Sequence, residues 1–533
     1  MTTLKQVTAL VSVIAAFAFR SSSAGYEPVS GQRASTAKEV MPASYFADLA
    51  MKYVIEAVDE CEDEPVPLSV LQTLILATHW LLIQGVRGRA WRFLGLSVRT
   101  AYEQNLHLID AGKTPGVETN VARWIQDEER RRAWWAIWEM EVFATFIRRC
   151  PTAIDWSQNE TFLPAEDENW FQGRPEASCF LDSSVNRWKP LEEIGNQSPK
   201  AWFIVVKSFM KDAQTISSPN GIDKTVAVSP DLLSQDGEGP SDSQRRPETL
   251  HDEDALNRLS AVHNSLRCYI MTLPSKLRYH HQYLSFGAKE VSRESRCRLR
   301  LLHSSIYSIH LMTQLTKLMI YKYYIFRTGK RWSYLPLEAA VMNGQDDHGS
   351  TWSPRKFGGA RLLGPEKDDL EHYFDVADEI MALVSSSSNA HYRYVNPFLA
   401  NTIWLAAAVQ LVRRELSPPG WAKELIGSRF ELLCLTYNQF VKYWDMSATL
   451  TKNFDIIKEH AGNLRRSQLA IGSSESFQDG PANPTAREAA VSRQGDGRPD
   501  LGRLYSPKAS RSQREGKVPK LGCRTMNAYV DVM

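Results

Sequence analysis

The sequence predicts an all-α protein: a large, helical bundle-like body with a disordered linker and a disordered C-terminal tail. Three observations carry that expectation. Apolar residues recur at helical spacing over most of the first 465 positions. No stretch sustains a two-residue alternation, no Asn-Gly turn joins two apolar runs, and no βαβ rhythm is present. The composition, 43% hydrophobic and 23% charged over 533 residues, is that of a globular chain with a sizeable core.

The elements follow in order. Lys5, the apolar stretch Ala9–Phe19 and Ser-Ser-Ser-Ala-Gly at 21–25 imitate a secretory signal peptide. Eleven apolar residues fall short of the ~20 that a spanning helix needs. Leu10, Val13, Ala16 and Phe17 share one face and Arg20 closes the run, so a packed helix is expected and no membrane. Between Ala43 and Asp110 three helices are expected. The first carries Phe46, Leu49, Tyr53, Val54, Ala57 and Val58, and ends at the acidic run 59–64 with Pro65 and Pro67. The second, Leu68–Gly85, is apolar nearly all round and therefore central, with Gly85 and Gly88 marking its stop. The third, Arg89–Leu106, sets Ala90, Phe93, Leu94, Ser97 and Ala101 on one face, small enough to admit a neighbour closely. A loop over 111–119 leads to a helix over Val121–Phe146.

Residues 214–254 read as a linker, with eight acidic against two basic residues from Pro230 to Asp254. Helices resume at Asp254–Leu273, 292–327, 367–386, 395–416 and 420–465, with a loop over Lys330–Glu366. Past Ile471 the composition shifts to Ser, Gly, Pro, Arg and Gln, too little to bury, so residues 471–533 are expected to form a disordered basic tail behind a body over 1–470.

Charge and cysteine content exclude whole classes. Sixty-three Lys+Arg against 61 Asp+Glu leave a net charge of +2, no global field for a phosphate backbone. The seven cysteines, at 61, 150, 179, 268, 297, 434 and 523, are too sparse for a disulfide scaffold. Their spacing offers no local zinc clamp, so no metal or cofactor is expected in this chain. Phosphate-loop, dinucleotide, zinc-protease and serine-hydrolase signatures are missing, and no enzyme is expected. Asp346-Asp347-His348 could ligate a metal through oxygen and imidazole, but it lies in a polar loop with no partner set nearby, and the glycines at 358–364 read as plain loop. His280, His281, His303 and His310 read as structural histidines, and the seven Lys/Arg after Gly502 as a solvated tail or loose import signal.

Asp127-Glu128-Glu129-Arg130-Arg131-Arg132 allows two readings. An acidic helix motif could hold Mg²⁺ for diphosphate chemistry, making the chain an all-α enzyme of diphosphate substrates. The three arginines that follow would neutralise it. A salt-bridged helix face with Glu128 and Arg132 at i, i+4 is the simpler expectation, with Trp134, Trp135 and Trp138 on the packing side.

Several motifs, taken together, resemble one family. Ala90-Trp91 is followed by Gly95, Ser97, Arg99, Ala101 and then Leu106-His107. Glu128-Glu129-Arg130-Arg131-Arg132-Ala133-Trp134-Trp135 comes next, then Arg149-Cys150-Pro151, then Leu163-Pro164-Ala165-Glu166-Asp167-Glu168-Asn169-Trp170. In order and spacing this is similar to the fungal-specific transcription factor domain, the helical regulatory region downstream of six-cysteine zinc clusters. The specific part covers 44–170. The chain departs from the family pattern at Ser97, where Ala is usual, at Asn105, where Gly is common, and at Arg149-Cys150, where Gly-Arg is common. The resemblance implies structural roles for Trp91, Gly95, Arg99, His107, Glu129, Arg131, Arg132, Trp134, Trp135, Pro151 and Pro164.

It further implies a nuclear regulator of RNA polymerase II transcription whose zinc-cluster DNA-binding part is missing from this chain, or a cluster-less protein working through partner contacts. The partners implied are the transcription machinery or a related factor in a homo- or heterodimer, with room for a small-molecule effector. DNA would be reached only through the missing zinc cluster. A secreted binding protein is the remaining alternative.

Overall fold

The computed structural model describes residues 3–23, 41–116, 120–217, 247–288, 290, 292–326, 367–417, 420–459 and 462. Its helices are α1 (Leu4–Ser23), α2 (Ala43–Asp59), α3 (Leu68–Gln84), α4 (Gly88–Glu103), α5 (Val121–Arg148), α6 (Asp167–Phe171), α7 (Lys189–Glu193), α8 (Pro199–Ser217), α9 (Pro247–Thr272), α10 (Arg293–Phe326), α11 (Lys367–Ser385), α12 (Ala400–Leu416) and α13 (Trp421–Trp444). The described residues contain no strand, only the isolated bridges Phe162–Phe180 and Leu284–Ser387. The all-α expectation holds.

α3 is central for the reason its sequence suggests. Val70, Leu71, Leu74, Ala77, Trp80, Leu81, Leu82 and Ile83 are all buried, so no polar face is left to meet water, and α1, α2, α4 and α5 pack around it. Pro67 stands just before the helix, where a missing N–H costs nothing, and Gly85 ends it at φ 136°. The small face of α4 performs as read: Ala90, Phe93, Leu94, Ser97 and Ala101 are buried. The Ser97 hydroxyl lies 3.1 Å from that of Thr78 on α3, and it donates to its own helix at Phe93 O (2.9 Å). α10 is the second hub, in contact with α8, α9, α11 and α12.

α1 packs against α2 and α3. Leu4–Ser21 is long and apolar enough to cross a membrane, yet Ala9, Val13 and Ala16 are buried against neighbouring helices. Its buried face is rotated slightly from expectation, running through Gln6, Ala9, Val13, Ala16 and Arg20, with Leu10 and Phe17 at its margin.

Three expectations need correction. No helix was expected over 199–217, yet α8 occupies it and is deeply buried, with Ala201–Phe209 continuously buried. Trp202-Phe-Ile-Val-Val206 shows no helical period because water touches none of it. Its start was legible in Ser198-Pro199, and the Ser198 hydroxyl accepts from the Ala201 N–H at 3.3 Å. The linker is shorter than 214–254, because α8 runs to Ser217 and α9 begins at Pro247; residues 218–246 lie outside the described residues. The helix expected over 420–465 stops at Trp444, where Asp445 turns left-handed (φ 53°), and a separate helical segment occupies 449–459. The loop over 330–366, with Asp346-Asp347-His348, and the tail 471–533 lie outside the described residues.

Histidines brace the interior as neutral rings. His303 Nδ1 accepts from the Phe286 N–H and His310 Nε2 from the Tyr279 N–H, both at 3.0 Å, which holds the 279–286 loop against α10. His79 lies between the rings of Phe17 and Phe398. Burial lowers His79 and His310 to about 4. The unfolded chain therefore takes up protons near pH 6.5 that the folded chain refuses until about pH 4. Stability should fall across that window by up to about 3 kcal/mol for each ring. Urea titrations at pH 7 and pH 5 check this; His79→Gln should remove part of the difference, and an unchanged pH slope would refute the assignment.

Candidate functional site

The densest group of buried charges lies on α5, and residues from three separate motifs build it. Asp110 ends the short turn that follows α4 and is fully buried. Arg131, the middle residue of the arginine run, grips it bidentately, with Nε to Oδ2 at 2.8 Å and Nη2 to Oδ1 at 2.6 Å. The same carboxylate accepts from Lys113 Nζ at 3.1 Å and from the Phe162 N–H at 2.9 Å. Glu128, 1% exposed, accepts from Arg132 Nε at 3.0 Å and from the Ala165 N–H at 2.9 Å, with Arg131 Nη1 at 3.4 Å. Arg132 reaches on to the Ala165 carbonyl (2.8 Å) and to Asp167.

The segment 161–167 thus crosses α5 and is bound to it at Phe162, Ala165 and Asp167. The Trp135 indole donates to the Phe162 carbonyl at 2.7 Å, and the Trp134 indole to Asn159 Oδ1 at 2.7 Å. Both rings are fully buried. Every acceptor in this clasp is met by a cation or an N–H, which a buried carboxylate requires.

The electrostatics follow. Burial pushes Asp110 up, but the hydrogen bonds and charge of Arg131 outweigh it and hold the carboxyl below its usual range. Burial dominates at Glu128 and raises it, against the pull of Arg132 and Arg131. The Arg131 guanidinium is stabilised in its charged form by Asp110. A cavity of about 370 Å³ opens beside the clasp, lined by Lys113, Glu128, Arg131, Trp124, Phe162 and Glu176 among others.

The Glu128–Arg132 pair forms as the spacing predicted, but inside the fold and not on a solvated face. Asp127, paired with Lys113 at 2.9 Å, and Glu128 are both engaged by cations. The sequence reading missed Asp110 and Lys113, because the acid belongs to no helical pattern and pairs across 21 residues.

Of the remaining motif residues, Pro164 is buried within the crossing segment, and His107 packs edge-on to Tyr102 and tilted against Trp134. Glu129 turns the other way and accepts from Gln72 on α3 at 2.7 Å. Trp91, Gly95 and Arg99 lie apart from the clasp on α4. Trp91 is half-buried beneath Arg148 (5.0 Å), Gly95 and Arg99 are exposed, and a Cβ at Gly95 would meet nothing within 4 Å. Pro151 is exposed at the corner after α5.

Among known families, residues 5–319 match the fungal specific transcription factor domain. The chain belongs to this family. A putative transcriptional regulatory protein of Saccharomyces cerevisiae, YJL206C, is 21% identical over 212 residues, which are 36% of this chain and 26% of that protein. The pigment biosynthesis transcriptional activator pigB of Monascus ruber is 27% identical over 100 residues, 18% of each chain. The chain therefore spans about a quarter or less of the length of these curated relatives. No solved structure matches.

The family's glycine preferences now acquire a physical reason. Asn105 and Arg149, two of the positions where this chain departs from the pattern, are both left-handed at φ 53°. Each closes the turn after a helix, the position at which glycine is free of Cβ strain. Arg149→Gly should therefore stabilise the fold by about 1 kcal/mol. Denaturation midpoints compared under identical conditions would show it, and a loss of stability would count against the strain argument.

Proposed function

We propose that this chain is the regulatory body of a nuclear regulator of RNA polymerase II transcription. It acts through contacts with other proteins, while DNA is read by a zinc-clamped module carried elsewhere in the same regulator or in a related factor paired with it. The family match over residues 5–319 carries the reading, and both curated relatives, a putative transcriptional regulatory protein and a transcriptional activator, agree with it. The cysteines of this sequence, nowhere closer than 29 residues, supply no such module. The clasp favours a structural over a chemical role for the acidic α5 motif. The carboxylates that diphosphate chemistry would need for Mg²⁺, Asp127 and Glu128, face Lys113, Arg131 and Arg132 instead.

The test is tethering. The chain, fused to an unrelated DNA-binding module above a reporter gene in a fungal host, should change transcription several-fold relative to that module alone, in either direction. Equal transcription at equal nuclear abundance would sink the proposal.

A further inference from the structure

Three motif residues stand apart from the clasp, and all three lie along one line of α4. Trp91, Gly95 and Arg99 follow at every fourth position and therefore share a face of the helix. Trp91 is half-buried, and Gly95 and Arg99 are exposed. The face packed inward is a different one, through Ala90, Phe93, Leu94, Ser97 and Ala101.

The fold gives Gly95 no reason to be glycine. Its backbone is helical, a Cβ there would meet nothing within 4 Å, and glycine in mid-helix weakens the helix relative to alanine. The missing side chain serves something other than the helix's own packing. It leaves a notch at which another main chain can reach the helix surface.

The rim of the notch is cationic. Arg92 and Arg99 flank it, both exposed, and no ion pair engages either among the described residues. Leu96 is half-buried between them. From Arg87 to Glu103 four arginines (87, 89, 92 and 99) stand against one carboxylate, Glu103 itself. Arg148 joins them from the end of α5, 5.0 Å over the Trp91 ring.

A main-chain notch between unpaired guanidiniums suits an extended chain that carries carboxylates. Arg92 and Arg99 are two turns apart, about 10 Å along the axis. In a polyproline-II segment, residues three apart share a face about 9 Å apart. Two acids at that spacing reach both guanidiniums while the main chain passes over Gly95. We propose that this face of α4 binds an acidic, extended peptide segment of a partner protein. Nucleic acid fits the face less well. Arg148 already covers the Trp91 ring, so no base stacks there, and phosphate contacts need cations alone, which leaves the glycine without a role. The proposal rests on the reading that the chain acts through protein contacts, but its test is a binding measurement that no result of the tethering experiment decides.

Fluorescence anisotropy of the full chain with a labelled peptide of four Glu-Pro-Leu repeats tests it. Binding in the micromolar range is expected. The double variant Arg92→Glu, Arg99→Glu should weaken it about tenfold or more with an unchanged melting curve, since both side chains face solvent. Gly95→Ala should raise the melting temperature and yet weaken the peptide several-fold by filling the notch; unchanged affinity in that variant would refute the role given to the glycine. Failure of the parent chain to bind, or equal affinity for the peptide with glutamine in place of glutamate, would dismiss the proposal. Tighter binding of a double-stranded oligonucleotide, lost in the same arginine variant, would assign the face to nucleic acid instead. Neutralising Asp231, Asp236, Glu238 and Asp242 in the full chain should leave the peptide's affinity unchanged, whereas a rise would make the chain's own acidic segment the occupant and overturn the partner assignment.

Discussion

Arg131→Ala should lower the free energy of unfolding by about 3–5 kcal/mol, the usual consequence of removing one partner from a buried ion pair. The loss comes less from the missing contacts than from what is left behind. Asp110 would keep only Lys113 and the Phe162 N–H, and Glu128 only Arg132 and the Ala165 N–H. Arg131→Lys should recover part of the loss, since a single ammonium cannot reproduce the bidentate grip.

A pH series gives an independent check. In the parent chain Asp110 is held below its usual range, so its contribution is present above about pH 3.8 and is lost only as pH falls through its lower folded value. Without Arg131, burial would push Asp110 upward and favour its neutral form. The stability difference between parent and variant should therefore narrow as pH falls from 7 towards 4. A difference independent of pH would mean that packing, not charge, carries the effect.

Trp135→Ala should cost a similar amount, about 3–5 kcal/mol. The ring is 1% exposed and lies edge-on to Trp138 with centroids 5.5 Å apart, so its removal leaves a cavity that the neighbouring rings cannot close. Trp135→Phe separates two contributions. It keeps most of the volume but leaves the Phe162 carbonyl without its indole donor, for about 1–3 kcal/mol. Because Trp135 holds the Phe162 carbonyl while Arg131 holds the Asp110 carboxylate that accepts from the Phe162 N–H, their losses should not add. Once 161–167 is released by one change, the second should cost less. Urea denaturation of both single variants and the double variant reads this coupling, and strict additivity would show that the segment is held independently at each point.

Much of the fold was legible because it is local. Helical periodicity places α3, α5, α10 and α11 to within a few residues, and Pro67 and Gly85 mark boundaries that the backbone requires. Periodicity failed at α8 for a physical reason: a helix surrounded by protein has no wet face to write a period into the sequence. It overran at Asp445, where an ordinary side chain occupies a left-handed turn that sequence reading expects of glycine or asparagine.

The site divides in the same way. Glu128–Arg132 is a pair one turn apart and could be read directly, whereas Asp110–Arg131 is a tertiary contact that no spacing announces. Burial was the deepest error of inference. The six consecutive charges read as a salt-bridged helix face, whereas Asp127, Glu128 and Arg131 are buried, Glu128 beneath the 161–167 segment that arrives from further along the chain.

The anchoring of Arg20 has a consequence for synthesis. α1 can settle on α2 and α3 soon after they are made, but Arg20 also donates to the Trp444 carbonyl, 424 residues later. At about 5–20 residues per second, a ribosome takes on the order of 20–85 s to deliver that partner. Through that interval the nascent chain carries an unclosed N-terminal end and the apolar α1, a long window for a chaperone to engage.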